Sequence, residues 1–291
     1  MNREVVKQLI LESLSRKLGD GYRLSIHKVL KTNQTLDGLA ILREGENVTA
    51  SIYLDPYYKD LENISNLESF TDMILHDYFH AAPLPKGFDA ASIRDPAWIK
   101  DRLQMRLINR HLNRELLSDV PHLPFLDDFA AIVYCLIEGS DDWNAGFLVH
   151  NRCMKMWNSS REDLLSLALD CTRRKCGADI RPMSEVMKEL APWMDTENVQ
   201  DFMWVLTNRQ KLFGASAALF DDVLEDFAEK HGNFCAIFSS VHEIILIPSP
   251  DDSQLSSITD INLDVNDTKV APGEVLGTKA YFYRRGSGFV L

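Results

Sequence analysis

The sequence predicts an α+β fold with mixed or antiparallel sheets, and three observations carry that prediction. Capped amphipathic stretches of helical length alternate with short apolar or two-residue-periodic runs of strand length. A strand, strand, helix grouping recurs, once across residues 129–168 and again after Asp201. The regular long alternation that a doubly wound parallel sheet requires is missing. The recurrence is architectural, because no residue-level similarity at a fixed period accompanies it.

Taken in order, Val6, Leu9, Ile10, Leu14 and Leu18 make one face of a first helix that Gly19 and Gly21 stop. Three strands are expected next. Tyr22, Leu24 and Ile26 alternate with polar neighbours, Leu39–Leu42 follows an Asp37-Gly38 turn, and Val48–Leu54 ends before Pro56. Ser65 or Asn66 then caps a helix carrying Leu67, Phe70, Ile74 and Tyr78, and the proline-rich segment Pro83–Pro96 reads as a linker. Residues 99–117 fit either a helix or a strand followed by a short helix, and the Leu103, Met105, Leu107 alternation favours the second. Val120–Pro124 reads as a rigid corner, Phe129–Ile137 as a buried strand, Gly139–Gly146 as a turn and Phe147–Val149 as its return. Ser159 or Ser160 caps a helix with Leu164, Leu165, Leu167 and Ala168, and Pro182–Leu190 makes another. Three regions follow from this order: 1–82, 97–177 and 182–291.

The densest signal lies between Asp201 and Asp251. Phe202–Leu206 and Ala215–Phe220, separated by turn-forming residues, predict a β-hairpin. Asp221 and Asp222 open a helix that His231-Gly232 closes, since carboxylates suit its positive end and glycine its left-handed C′ position. Cys235–Phe238 and Ile244–Ile247 are too short and apolar for surface helices and read as buried strands, closed by Pro248 and Pro250. Ser253–Asn266 is expected to be polar and helical, Val270–Leu276 a loop, and Tyr281–Tyr283 a last strand before the Gly286-Ser287-Gly288 turn.

Composition narrows the functions. The chain of 291 residues is 45% hydrophobic, has no run of about 18 apolar residues, and begins with an amphipathic rather than an uninterrupted apolar segment. No membrane span and no secretion signal are therefore expected. Five cysteines without CxxC spacing point to reduced thiols in a cytoplasm. The net charge is −12, and Asp221–Asp267 carries eleven acidic residues against Lys230 alone. Such a balance opposes tracking of a nucleic-acid backbone; it suits a solvated surface, or a face that meets a basic protein partner or imitates nucleic acid.

Candidate chemistry is sparse. In Ser239-Ser240-Val241-His242-Glu243 an extended chain would place Ser240 and His242 on one face, yet no GxSxG elbow occurs here or elsewhere. His76 and His80 share a helix face at the spacing that holds zinc, but no third ligand follows, so a solvated helix end is the expectation. Asp260, Asn262, Asp264, Asn266 and Asp267 imitate a calcium loop that lacks its glycine and its final glutamate. His150 with Cys153, and Cys171 with Cys176, lack further partners at metal-site spacing. Glycine-rich phosphate loops are absent. No metal and no cofactor are expected.

The stretches VPHLPFLDDFAAIVYCLIE, VLTNRQKLFGASAALFDDVLEDFAEKHG, SSVHEIILIP and VAPGEVL together resemble a family of bacterial proteins known only as a domain of unknown function, over essentially the whole chain. The resemblance implies a bacterial cytoplasmic protein, with relatives in anaerobes and on mobile elements. Its signature elements are Ser239–Glu243, the Val120-Pro121-His122 corner and Leu206-Thr207-Asn208; it implies no catalytic assignment. The expectation is a non-catalytic binding or interaction protein, with Asn208, Ser239, Ser240, His242, Glu243 and His122 as candidate binding residues. The alternative is a hydrolase of unidentified substrate that uses His242 and Glu243, with His122 or Asn208 brought in from elsewhere.

Overall fold

The first helix begins where the side chain of Asn2 accepts the Glu4 amide N–H, and it ends at Gly19, whose φ of 73° is a backbone state that glycine adopts without strain. A computed structural model describes residues 2–58, 67–80, 89–137, 145–193, 202–248, 259, 266 and 269–290. The chain divides into two compact units, Met1–Trp98 with Ile137–Gly146, and Ile99–Leu136 with Phe147–Leu291.

In the first unit, helix α1 (Arg3–Leu18) is followed by strands β1 (Tyr22–Lys31), β2 (Gln34–Arg43) and β3 (Ser51–Tyr53), the short helix α2 (Asp55–Tyr58) and helix α3 (Leu67–His80). The strands form an antiparallel sheet in the order β1-β2-β3. Val6, Ile10 and Leu14 of α1 pack with Leu39 and Ile41 of β2 and with Phe70 and Ile74 of α3. The predicted Asp37-Gly38 turn is instead the middle of β2: Lys31 pairs with Gln34, and the chain reverses at Thr32-Asn33, with Asn33 at φ 60°. The reason is electrostatic. Asp37 is fully buried, and its carboxylate meets Lys7 Nζ at 3.0 Å and Lys28 Nζ at 2.9 Å, while Tyr58 donates to it at 3.2 Å. Gly38 is small for a second reason, since a Cβ there would lie 2.7 Å from Val29 Cγ2. Burial pushes the Asp37 carboxyl up, but hydrogen bonds from Lys28 and Lys7 and their charges outweigh that and hold it below the usual carboxylate range.

Between the regions of sheet, Ala90–Arg94 is a 3₁₀ turn and Pro96–Ile99 the short helix α4, so the described half of the expected linker is helical. Residues 83–88 of that linker lie outside the described residues. So do the Ser65/Asn66 cap, 139–144 of the expected turn, Pro250, and all of Ser253–Asp267 except Thr259 and Asn266.

The second unit continues with β4 (Leu103–Asn109), α5 (Arg114–Ser118), β5 (His122–Phe125), β6 (Phe129–Ile137), β7 (Ala145–Leu148), α6 (Asn151–Trp157), α7 (Arg161–Lys175), β8 (Asp179–Pro182) and α8 (Met183–Leu190). Then come β9 (Trp204–Thr207), a 3₁₀ turn at Gly214–Leu219, α9 (Asp221–His231), β10 (Phe234–Ile237), β11 (Ile244–Pro248), β12 (Ala280–Arg284) and β13 (Gly288–Val290). The 99–117 ambiguity therefore resolves as strand then short helix. Two antiparallel sheets result, one ordered β4-β6-β5 with β7 also on β6, the other β13-β12-β10-β11-β9-β8. Helix α7, capped by Ser160 Oγ accepting from Asp163 N, lies on β4, and its Thr172 Oγ1 accepts the Met105 amide N–H at 2.8 Å. The sheets meet through aromatic rings: Phe129 on β6 stacks 4.8 Å from Phe238 and 5.4 Å from Tyr281. Asp128 beside them accepts from Lys279 at 2.8 Å, from His111 at 2.9 Å and from the Tyr281 hydroxyl.

Three further expectations are corrected. Ala215–Phe220 is not the second strand of a hairpin with 202–206: alanines without β-branching, buried on all sides, tighten into a 3₁₀ turn, and β9 pairs with β8 and β11. Val120–Pro124 does not form a corner throughout. His122–Phe125 runs as an edge strand on β6, where Pro124 needs no ladder N–H. Val48–Leu54 contributes only the three-residue β3, and β8, too short to show periodicity, is additional.

Candidate functional site

Four segments interlock at one end of the six-stranded sheet. Thr207, at the end of β9, donates from Oγ1 to the His242 carbonyl at 2.8 Å. The Ala215 amide N–H bonds the Val241 carbonyl at 3.2 Å, Val241 N–H bonds the Glu274 carbonyl at 2.9 Å, and Leu276 N–H bonds the Ser239 carbonyl at 2.9 Å. Ser240 and Val275 form an isolated antiparallel bridge. Gly214 sits in the middle, where a Cβ would lie 2.1 Å from Thr207 Oγ1 and 2.6 Å from both Asn208 N and His242 O.

Within this lock the residues singled out from the sequence have defined partners. His242 Nδ1 accepts the Phe213 amide N–H at 3.2 Å, which leaves the ring proton on Nε2, 3.4 Å from Glu274 Oε1. Ser240 Oγ donates to Glu243 Oε1 at 3.2 Å and accepts from His242 N at 3.0 Å. Ser239 is buried and contributes its carbonyl. Asn208, only 1% exposed, organises the following turn: its Oδ1 accepts from Gln210 N at 3.0 Å and Leu212 N at 3.3 Å, and its Nδ2 donates to the Leu212 carbonyl at 2.9 Å. These bonds hold Lys211 and Phe213 at φ 54°, a left-handed state that side chains other than glycine's adopt at a cost of about 1–3 kcal/mol each. Arg209–Leu212 is exposed at the tip.

Asn208, Ser239, Ser240, His242 and Glu243 thus come together. His122 does not: its Nδ1 bonds the Val120 carbonyl at 3.0 Å, and it shares no hydrogen bond, ion pair or ring contact with the other five. Its carbonyl accepts from Arg161, which with Lys155 and Ser159 helps line a shallow groove of about 450 Å³. His150 pairs separately with Asp119 at 2.7 Å. His76 and His80 stack on each other with centroids 4.0 Å apart. Among the described residues no group of three or more His, Cys, Asp or Glu side chains could hold a metal ion. All five cysteines are unpaired and buried, and burial raises the thiol of Cys135 to about 12 and that of Cys235 to about 11.

Sequence reasoning missed Arg106. On β4 it reads as an ordinary polar partner in an alternating strand, but its guanidinium lies 3.8 Å from the Tyr134 ring centroid and 3.6 Å from that of Phe213. Phe213 in turn packs on His242, with centroids 5.2 Å apart, so four side chains form one continuous stack. The Nε and Nη2 atoms of Arg106 both donate to Gln104 Oε1 at 3.3 Å; Gln104 Nε2 donates to Cys176 Sγ at 3.4 Å, and that thiol donates to Gln210 Oε1 at 3.6 Å. Burial pushes the Arg106 pKa down to about 10, leaving the group a cation at neutral pH. The only sequence signal for this stack is that Arg106 falls on the same strand face as Gln104, two residues away.

The fold and this lock define an antiparallel α+β protein that carries a braced, exposed turn. The chain belongs to a family of unknown function, DUF5688, which matches residues 4–285. No curated protein and no solved structure matches it. No helix among the described residues is long and apolar enough to cross a membrane.

Proposed function

We propose that the chain is a non-catalytic binding protein of the bacterial cytoplasm whose recognition element is the Asn208-braced turn, Arg209–Leu212. One observation carries the reading: the groups able to do chemistry are occupied in holding that turn. A general base needs an imidazole nitrogen directed at a proton to be taken. His242 Nδ1 is engaged by the Phe213 amide and Nε2 faces Glu274, while Ser240 is 4% exposed and bonded to Glu243. This bonding supports binding over the alternative of a hydrolase using His242 and Glu243. Strained backbone kept in place by surrounding hydrogen bonds, with its tip exposed, fits an element selected for presentation.

The turn calls for a partner with acidic groups. Arg209 donates to the carbonyls of Cys176 and Arg174 and has no carboxylate partner among the described residues, and Lys211 pairs with Glu189 on α8. Part of the acidic excess that suggested a basic partner is already engaged on α9: Asp222 binds Arg173, and Glu225 accepts from Tyr283 and Gly286. A photocrosslinking residue at Leu212, 36% exposed, tests the reading in the native host. Crosslinked partners are expected to be lost on Lys211→Glu and Gln210→Glu substitution. An unchanged set of adducts in both variants overturns the assignment.

A further inference from the structure

Arg106 has no acidic partner. Among the described residues no carboxylate lies within 4 Å of its guanidinium, and burial outweighs the only charge effects on it, which come from Tyr134 and Cys176. A largely buried cation without a counter-charge is costly, and the two aromatic faces compensate it only in part. The geometry leaves one direction open. Both faces are covered by rings, and the Nε–Nη2 edge is bonded to Gln104. Nη1 has no hydrogen-bond partner among the described residues, yet it is not sealed from solvent. The Nη1 N–H groups are therefore the ones left open to a ligand.

We infer that the outward edge of the Arg106 guanidinium is a binding site for a single carboxylate group, held in plane by Tyr134 and Phe213. The charge and shape select this class. A planar fork of N–H donors matches a planar monoanion through two parallel hydrogen bonds, whereas a dianionic phosphate needs further cations or amide donors, and no lysine joins Arg106 in this stack. The site connects to the recognition turn through Phe213 and through the Gln104–Cys176–Gln210 chain. The inference rests on the reading of that turn as the binding element, and it names the group the turn's partner would supply.

The probe is sodium acetate, added to the full chain while the Arg106 Nε–H resonance is followed by NMR, with Arg106→Gln used for assignment. A saturable shift with millimolar affinity is expected, absent with sodium chloride at equal ionic strength and weaker with sodium phosphate. Arg106→Lys keeps the charge but not the fork, and its acetate affinity, read from the backbone amides of Phe213 and Gln104, is expected to fall about tenfold. A linear drift identical for acetate and chloride overturns the site, and saturation by phosphate below the acetate concentration overturns the carboxylate assignment. The wild-type titration stands even where a variant fails to fold. Loss of crosslinks in the turn variants without acetate binding removes this inference alone; acetate binding with unchanged crosslinks removes the recognition reading alone.

Discussion

Substituting Gly214 by alanine tests whether the four-segment lock is as tight as its distances say. A Cβ at this position meets Thr207 Oγ1 at 2.1 Å, and the backbone atoms Asn208 N and His242 O at 2.6 Å. The hydroxyl can rotate away, but it then gives up its bond to the His242 carbonyl, a loss of about 1 kcal/mol. The two backbone atoms cannot retreat without moving the ends of β9 and β11, and overpacking of that kind costs about 1–3 kcal/mol. Gly214→Ala is therefore expected to destabilise the second unit by about 2–4 kcal/mol, a fall in Tm of roughly 5–15 °C. Urea unfolding followed by the fluorescence of Trp157 and Trp204 measures it. Gly21→Ala is the control: nothing lies within 4 Å of its would-be Cβ and its φ is not positive, so a change within about 0.5 kcal/mol is expected. A cost below about 1 kcal/mol for Gly214→Ala would falsify the argument, because the lock would then have room that its geometry denies.

Three other outcomes follow from the same structure. Asp37→Ala leaves Lys7 beside a vacated buried position and is expected to destabilise the first unit by about 3 kcal/mol in urea titrations at pH 7. Because the folded Asp37 carboxyl titrates below its usual value, its contribution is complete above about pH 4 and fades as pH falls through the folded value. Asp37→Asn should accordingly lose less stability than wild type across that acidic window. Asp128 behaves alike: burial raises its pKa, hydrogen bonds from Lys279, Tyr281 and His111 outweigh this, and it falls to about 2. Asp128→Asn should cost on the order of 2 kcal/mol at pH 7 and progressively less from about pH 4 to pH 2, measured by denaturant unfolding. Asn208→Ala removes three hydrogen bonds that hold two left-handed residues, so the 209–213 amides should exchange with solvent at least about tenfold faster while β10 and β11 keep their protection.

Much of the fold was legible because local chemistry and final structure agree. The helix opened by Asp221 and Asp222 and closed at Gly232, the Ser160 cap and the alternation through Leu103, Met105 and Leu107 all sit where their physics places them. The failures share a cause, which is a tertiary demand that overrides a local preference. Asp37-Gly38 has turn chemistry, but Lys7, thirty residues earlier, draws the carboxylate into the unit's interior. Ala215–Phe220 reads as a strand until the pressure of Thr207 and His242 on Gly214 is known. Asn208 and Ser239–Glu243 were named from signature segments of the sequence, but that they come together in space is a finding of the fold. The stacking of Phe213 on Arg106, a residue about a hundred positions away along the chain, was not legible, because nothing in a single polar residue on an alternating strand announces the rings that will enclose it.

The lock has a further consequence for the order in which the molecule matures. Its last strip, Glu274–Leu276, is made by the ribosome after every other part of the assembly, from Gln104 onward. A nascent chain lacking that strip cannot complete the hydrogen bonds to Val241 and Ser239, so the lock closes only once synthesis has passed it. Incomplete translation products would thus carry the Asn208-braced turn on an unfinished support.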